Sequence, residues 1–337
     1  MTRTLYRNGV VHSASHPFAQ ALMVEDGVIT WLGDEDTADQ MAAPETIDLD
    51  GALVAPAFVD AAADLDGPAD LADAAAHGIV SVHRLRSGEP SPSPTGDPQP
   101  DVGAPDAHVE VVGYGPGWGS VVVDLEQASD EEAALAVDSG TRAQRSVVLV
   151  VGTPLAEQRA LDAIEAASER ASVADVARAG HRIVGLREVS AAASERIVRL
   201  GVRVTFVAPH LPLASAASAG LAVSLGGLSR DPWGVLLHAM TQASAGERVS
   251  ARAAFRAATR GGWRAVGQDD VGELRPGAAA HLALWRAGHL GVQGPRSSWS
   301  SDARAGTPLL PFLEPDEPRP TCLRTVRAGA VIHDTLG

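Results

Sequence analysis

Titratable side chains occur at the ends of several short apolar runs that predict β-strands. They are Asp60, Asp64, His83, Asp124, Glu126 and His210. Imidazole and carboxylate groups can hold a divalent metal, and the metal lowers the pKa of a bound water so that it attacks a carbonyl or a similar centre. His83, Asp124 and His210 are therefore one candidate three-ligand set, with Asp60 and Asp64 as further pocket candidates.

Each of these residues also has a purely structural explanation. His83 precedes Arg84 and can begin a surface loop, whereas Asp124 can cap a following helix or pair with an arginine. His210 lies between prolines, where a loop histidine needs no function. Only the perturbed pKa values that are typical of functional pockets would favour a rebuilt site. The structural explanation is the stronger one for each residue.

The elements that must position these groups alternate between strand and helix in the middle of the chain. Strand-like runs are short, β-branched and apolar throughout, as expected of strands covered on both faces, at residues 53–59, 79–83, 109–113, 121–125, 147–151, 183–186, 202–207 and 221–225. Helical patterns occupy residues 69–76, 130–144, 155–169, 192–200 and 250–264. Eight strands with intervening helices predict an α/β fold, a compact (β/α)₈ TIM-like barrel. The gap between residues 113 and 121 is too short for a crossover helix, so we expect one degenerate unit and a distorted or incomplete barrel.

Both ends of the chain have an all-β character. Residues 1–52 contain the hairpin signal Asn8-Gly9 and a second turn signal at Glu25-Asp26-Gly27, and residues 269–337 contain runs of the same style. We predict one small domain built from residues 1–52 and 269–337 around a barrel domain at 53–268. Residues 87–105 and 291–320 lack apolar periodicity and are expected to be surface loops.

Two segments carry a family resemblance. Residues 51–65 read Gly-Ala-Leu-Val-Ala-Pro-Ala-Phe-Val-Asp-Ala-Ala-Ala-Asp-Leu, and residues 271–282 read Val-Gly-Glu-Leu-Arg-Pro-Gly-Ala-Ala-Ala-His-Leu. The first resembles the opening barrel strand of the amidohydrolase superfamily, and the second resembles its "G-x-L-x-P-G-x-x-A-D-L" segment, with His281 in place of the Asp. The resemblance is greatest to the amidohydrolase family 3 or imidazolonepropionase-like branch. It implies that the terminal domain is a composite β-sandwich.

The same resemblance implies Zn or another divalent metal, but the ligand positions carry other residues. Ala62 and Asp64 occupy the His-x-His pair. Val150 and Gly185 occupy two further ligand positions, and Leu228 occupies that of the Asp that handles the proton of the catalytic water. We therefore expect no bound metal and no cofactor.

Three functions remain open from the sequence. The first is an amidohydrolase-family protein, from a class that hydrolyses non-peptide C–N bonds, that has lost metal-dependent hydrolysis and acts as a pseudoenzyme, a binding protein or a scaffold. The second is an active hydrolase of a small cyclic amide-type substrate with a rebuilt site at the end of the barrel. The third is a structural subunit that pairs with an active paralogue. Whether the chain is an enzyme is thus undecided at this point.

Composition limits the partners. All 27 cationic residues are arginine, so no lysine can form a Schiff base or a carboxylated metal bridge. The net charge of −15 and the scattered arginines argue against nucleic acid and anionic membranes. The lone cysteine, Cys322, cannot form an internal disulfide, and no apolar run reaches membrane-spanning length. We expect a cytoplasmic protein that binds a small molecule or a protein partner and can form a homodimer.

Overall fold

The computed structural model describes residues 2–65, 67–85, 108–113, 121–242, 244, 246–294, 299–300 and 306–336. Its strands are β1 Arg3–Arg7, β2 Val10–Val11, β3 Ala21–Glu25, β4 Val28–Gly33, β5 Glu45–Asp48, β6 Leu53–Pro56, β7 Phe58–Ala63, β8 Ile79–Arg84, β9 Glu110–Gly113, β10 Val121–Asp124, β11 Val147–Val150, β12 Arg182–Val184, β13 Arg203–Val207, β14 Ala222–Gly226, β15 Leu282–Arg286, β16 Leu290–Gln293, β17 Trp299–Ser300, β18 Leu310–Pro311, β19 Thr321–Arg327 and β20 Ala330–Asp334. Its α-helices are α1 Glu35–Ala38, α2 Pro68–Ala76, α3 Asp130–Ala143, α4 Pro154–Arg170, α5 Val173–Ala179, α6 Ala191–Leu200, α7 Leu213–Ser218, α8 Pro232–Leu237, α9 Ala251–Ala258 and α10 Arg260–Ala265, and a π-helix spans His238–Gln242.

The central strands form two parallel sheets, ordered β7-β8-β9 and β10-β11-β12-β13-β14. All eight predicted strands are therefore present. The last strand approaches the first, since the amide of Gly227 donates to the carbonyl of Ala62 at 3.2 Å. The ladder is interrupted between β9 and β10, where the connection was predicted to be too short for a helix; residues 114–120 lie outside the described part of the chain.

The helices between these strands begin and end at residues suited to those places. The Ser129 hydroxyl accepts from the amide of Glu132 at 3.2 Å and the Glu132 carboxylate accepts from the amide of Ser129 at 2.7 Å, so a capping box begins α3. Thr153 caps α4, whose first residue is Pro154. The apolar faces of both helices pack on the strands in the main core. These caps fix where each strand ends and each connecting segment starts.

The terminal segments build a second β-region. One sheet has the order β4-β3-β1-β5, and the other has β2-β6-β15-β19-β20 and so combines residues from both ends of the chain. Strand β6, Leu53–Pro56, pairs with β15 in this second sheet rather than with a barrel strand. The predicted first barrel strand at 53–59 is therefore divided. The barrel begins at Phe58, some five residues later than the predicted boundary.

Two sequence predictions fail in this region. Asn8 and Gly9 do not form a hairpin, because β1 pairs with β3 and β5 whereas β2 pairs with β6 in the other sheet. Asn8 adopts a positive φ of 58°, which lets the chain pass between the sheets. Residues 291–320 are not simply a surface loop, because β16, β17 and β18 form a small antiparallel sheet and Leu310 and Leu313 are buried in the main core.

The turn at Glu25-Asp26-Gly27 does join an antiparallel pair, β3 and β4, as predicted. The loop predicted at 87–105 lies outside the described residues. In the described portion, no helix combines the length and the apolar composition that crossing a bilayer requires.

Candidate active site

Apolar side chains form one cluster inside the barrel, called the mouth cluster below, and five of them lie at the carboxyl-terminal end of the strands, called the mouth. Val148 and Val184 are buried at the centre of this mouth cluster. The side chains packed on them are Ala62, Leu85, Val112, Val122, Val150, Val207 and Val266. Ala62, Val112, Val150, Val184 and Val207 are each the last residue of a barrel strand or the one before it. The cluster joins strands from both parallel sheets, and these five residues lie at the end of the barrel where a family active site would lie.

The positions that the family resemblance assigns to metal ligands and to the proton-transferring Asp lie in this cluster, next to it or in the main core. Ala62 and Val150 belong to it, and Leu228 is fully buried in the main core. Gly185 follows β12 with a φ of 96°. Among the described residues, no group of three or more His, Cys, Asp or Glu side chains could hold a metal ion. Methyl and isopropyl groups offer no lone pairs, so the residues present do not fit a divalent cation.

Asp60 is fully buried, and both of its carboxylate oxygens are bonded. Oδ1 accepts from the amides of Ala62 at 3.1 Å and Gly227 at 2.9 Å, and Oδ2 accepts from the amides of Leu228 at 2.8 Å and Ser229 at 2.9 Å. The Ser229 hydroxyl also donates to Oδ2. Burial raises the pKa of Asp60, and these hydrogen bonds act in the opposite direction. Asp60 thus joins β7 to the segment after β14 and is positioned as a structural group.

His83 contacts an arginine inside the barrel. The Arg182 guanidinium Nη1 lies 3.0 Å from His83 Nδ1, and both side chains are buried. A guanidinium only donates, so Nδ1 accepts and the imidazole is neutral. Burial, followed by the charge of Arg182, holds the pKa of His83 well below its ordinary value. Strands β8 and β12 are not neighbours, so this contact crosses the interior, and the surface-loop explanation for His83 does not hold.

The remaining candidates lie in separate places. Asp124 holds the turn after β10 by accepting from the amide of Glu126 at 3.0 Å and from Gln127 Nε2 at 2.9 Å. His210 is exposed in the turn after β13, and Asp64 is exposed just after β7. His83, Asp124 and His210 therefore do not form the candidate three-ligand set.

Sequence reasoning missed Arg182. The one available signal was alternation along β12, which places Arg182 on the same face as Val184.

His181 lies at the amino-terminal start of the same strand, opposite the mouth. Its Nδ1 accepts from the amide of Val147 at 3.1 Å, and its Nε2 donates to the Thr141 hydroxyl at 2.9 Å. That hydroxyl in turn donates to the carbonyl of Val137 at 2.8 Å. Every hydrogen bond fits the neutral ring, and burial lowers the pKa of His181 to about 4. This histidine belongs to the family-like run His181-Arg182-Ile183, but it has a structural role.

Acid is expected to destabilise the protein through His181. A folded-state pKa of about 4 against an ordinary value of 6.5 means that the neutral form stabilises the fold above pH 6.5 and that this contribution is lost as pH falls toward 4. Between pH 7 and pH 4.5 the loss through this group is about 2.5 kcal/mol. Urea unfolding of the wild type and His181→Gln at both values measures it. We expect a smaller loss in the variant, and an equal loss in both proteins would contradict the assignment.

Known structures share this architecture. An adenosine deaminase from Xanthomonas campestris with bound zinc is 15% identical, covers 98% of this chain and 92% of its own, and has a TM-score of 0.65. A variant of atrazine chlorohydrolase from Arthrobacter aurescens, in complex with zinc and atraton, is 14% identical, covers 98% and 95%, and has a TM-score of 0.64. An uncharacterised metal-dependent hydrolase from Pyrococcus furiosus is 15% identical, covers 84% and 98%, and has a TM-score of 0.58. At these identities the likeness concerns the fold alone.

These neighbours confirm the predicted α/β TIM-barrel fold. No curated protein matches the sequence. A model of the amidohydrolase family matches residues 123–333, which is well over half of the chain and includes five of the eight barrel strands in part or in full and most of the carboxyl-terminal β-segment. The match begins after residues 51–65, the segment that contains Ala62 and Asp64. It includes the positions of Val150, Gly185 and Leu228. The chain therefore belongs to the amidohydrolase family.

Proposed function

We propose that this amidohydrolase-family chain has lost hydrolysis by a metal-activated water and acts as a pseudoenzyme with a binding or scaffold role. The mouth cluster is the observation that carries the proposal. Ala62 and Val150 contribute hydrocarbon where the family resemblance places imidazoles, and Leu228 contributes it where a carboxylate would move a proton. A cation in such surroundings would give up hydration without gaining ligands, which is strongly unfavourable.

The backbone at the mouth supports the same proposal. A Cβ atom on Gly185 would lie 2.3 Å from the carbonyl oxygen of Val151, and one on Gly226 would lie 2.4 Å from the Cβ of Ala62. No side chain can be added at either place without displacing a neighbouring strand. Restoring a ligand at position 185 would therefore require backbone movement as well as a substitution.

This packing predicts a large effect for the smallest side chain at position 185. We expect Gly185→Ala to cost about 3 kcal/mol, because a positive φ and a collision with backbone add together. Gly51→Ala is the matched control, since Gly51 has a φ of 74° but no atom within 4 Å of its would-be Cβ. That variant should lose only about 1 kcal/mol. Urea unfolding measures both, and equal losses would show that the backbone around residue 185 can relax.

The alternative is a hydrolase with a rebuilt site, and the same geometry counts against it. His83 Nδ1 already accepts from Arg182, and the adjacent cation and burial make the imidazole a weak base. The Asp124 carboxylate is bonded within its own turn. Neither group is placed as a metal ligand or as a general base acting with His210.

The proposal also concerns the partner and the cellular location of the protein. The partner of such a chain would be a small molecule or another protein, including a second copy or an active paralogue. The protein would be located in the cytoplasm. The net charge of −15 and the single cysteine support this part of the proposal.

Elemental mass spectrometry tests the proposal. Purified full-length protein is dialysed and analysed for Zn, Fe, Mn and Ni, with the zinc-holding adenosine deaminase from Xanthomonas campestris treated in parallel as the control. We expect far less than one equivalent of any metal per chain, whereas the control should keep its zinc. One or two equivalents surviving dialysis in this chain would overturn the proposal.

A further inference from the structure

A second cavity lies away from the mouth, between the helices that follow β14 and the terminal β-region. Its volume is about 610 Å³, which is the size of a small-molecule site. Helices α7, α9 and α10 form one side, and His12, Ala14 and the segment Gly272-Glu273-Leu274 form the other. The barrel and the composite domain thus share its walls.

Four arginines line this cavity at intervals of four residues along α9 and α10. They are Arg252, Arg256, Arg260 and Arg264. Arg260 pairs with Glu273 and Arg264 pairs with Asp269 at 2.9 Å. Arg252 and Arg256 are exposed, and neither makes a hydrogen bond or an ion pair with any residue that the structure describes. Two guanidinium groups therefore face the cavity region without an anionic partner among the described residues.

The charge of this cavity is opposite to that of the whole chain. The protein has 42 acidic residues against 27 arginines, yet among the described residues that line the cavity Glu273 is the one carboxylate. A concave, low-dielectric surface of one sign concentrates the field and attracts ligands of the other sign. Arginine forks match the oxygen geometry of phosphate and carboxylate groups in particular.

Apolar side chains also line the cavity, which points to an organic ligand. Leu213, Leu221, Val249 and Phe255 line it alongside the arginines. His12 is buried at its edge, where Nδ1 donates to the carbonyl of Leu309 at 2.8 Å and the ring meets Phe255 edge-on at 5.1 Å. The combination of a cationic row with an apolar wall is typical of sites for small charged metabolites.

We propose that this cavity binds a small organic molecule carrying at least two oxyanion groups, either phosphates or carboxylates, through Arg252 and Arg256. The site is separate from the barrel mouth, and it does not depend on whether the mouth retains hydrolysis. Arg260 and Arg264 add positive potential but are partly neutralised by their own carboxylates.

Isothermal titration calorimetry of the full chain in about 150 mM NaCl, roughly physiological ionic strength, tests the proposal with two probes, pyrophosphate and citrate. We expect saturable binding of at least one probe with a stoichiometry of one. Binding of pyrophosphate alone identifies a phosphate ligand, and binding of citrate alone identifies a carboxylate ligand. If neither probe binds saturably up to millimolar concentration, the proposal is wrong.

Matched variants separate a built site from general charge attraction. Arg252→Gln/Arg256→Gln should weaken binding by about tenfold or more, because each lost guanidinium removes charge-assisted hydrogen bonds. Arg187→Gln/Arg230→Gln removes the same charge from two exposed arginines that do not line the cavity, and it should change affinity by about twofold at most. Circular dichroism and thermal unfolding of both variants verify the fold. Equal weakening in the two double variants would overturn the proposal.

Discussion

Replacing Asp60 with alanine is expected to destabilise the protein by about 4 kcal/mol, among the largest effects of any single substitution in this chain. Its carboxylate accepts four backbone N–H groups and one hydroxyl from β7 and from the segment after β14. Alanine would leave the buried amides of Leu228 and Ser229 without this acceptor. It would also weaken the contact between the first and last barrel strands, where only the bond from the Gly227 amide to the Ala62 carbonyl would remain of those described above.

Two further variants make this prediction specific. Asp60→Asn keeps the shape but turns an N–H₂ group toward the amides of Leu228 and Ser229, so it should still cost about 2 kcal/mol. Asp124→Ala is the control, because that carboxylate is half-buried in a local turn and should contribute about 1 kcal/mol. Urea unfolding at pH 7 compares all three with the wild type. Similar losses for Asp60→Ala and Asp124→Ala would mean that Asp60 does not hold the barrel together.

Trp233→Ala is expected to have an effect of similar size, about 4 kcal/mol. Trp233 is almost fully buried and packs edge-on against Phe58 at 5.1 Å and Trp285 at 5.2 Å. It also stacks on Phe255 at 5.7 Å. Phe58 belongs to the barrel and Trp285 to the composite β-region, so the indole fills the junction between them. Its removal leaves a large cavity that the surrounding rigid elements can collapse into only in part.

Leu135→Ala provides the control for Trp233→Ala, because the side chain of Leu135 is 71% exposed on α3. That variant should change stability by less than about 0.5 kcal/mol. Guanidinium unfolding followed by far-ultraviolet circular dichroism gives the free energies without relying on tryptophan fluorescence. A loss of less than 1 kcal/mol for Trp233→Ala would contradict the role of the aromatic cluster.

The positions of the barrel strands could be predicted from the sequence because buried parallel strands are short and continuously apolar. The same rule failed at residues 53–59, where one apolar run serves two sheets. The chain leaves the composite sheet at Pro56 and enters the barrel at Phe58, and the amide of Ala57 donates to the carbonyl of His281 between them. The hydropathy of the sequence does not show where the chain passes from one sheet to the other, because the residues on both sides of Ala57 are fully buried.

The apolar part of the candidate site was the more predictable part. The resemblance predicted that Ala62 and Val150 replace metal ligands and that Leu228 replaces the proton-transferring Asp, and these residues lie in apolar clusters. The polar candidates were less predictable, because a residue at a strand end can point into the barrel or into its own turn. Asp124 binds the amide two residues ahead, which sequence cannot distinguish from a pocket-facing carboxylate.

Arg182 and the arginine-lined cavity were not predicted. A cation in a barrel strand and a four-residue spacing across a helix break at Thr259 both appear ordinary in the sequence. The role of Arg182 depends on its contact with His83 inside the barrel. The role of the arginines on α9 and α10 depends on the composite β-region across the cavity.

The most direct test of a mouth without a catalytic metal is anomalous diffraction at the zinc edge, from crystals grown with zinc in excess. Unlike bulk metal analysis, it locates each ion. We expect no anomalous peak beside Ala62, Val150, Gly185 or Leu228. A full-occupancy zinc there, about 2.0–2.3 Å from nitrogen or oxygen ligands of this chain, would contradict the loss of metal-dependent hydrolysis.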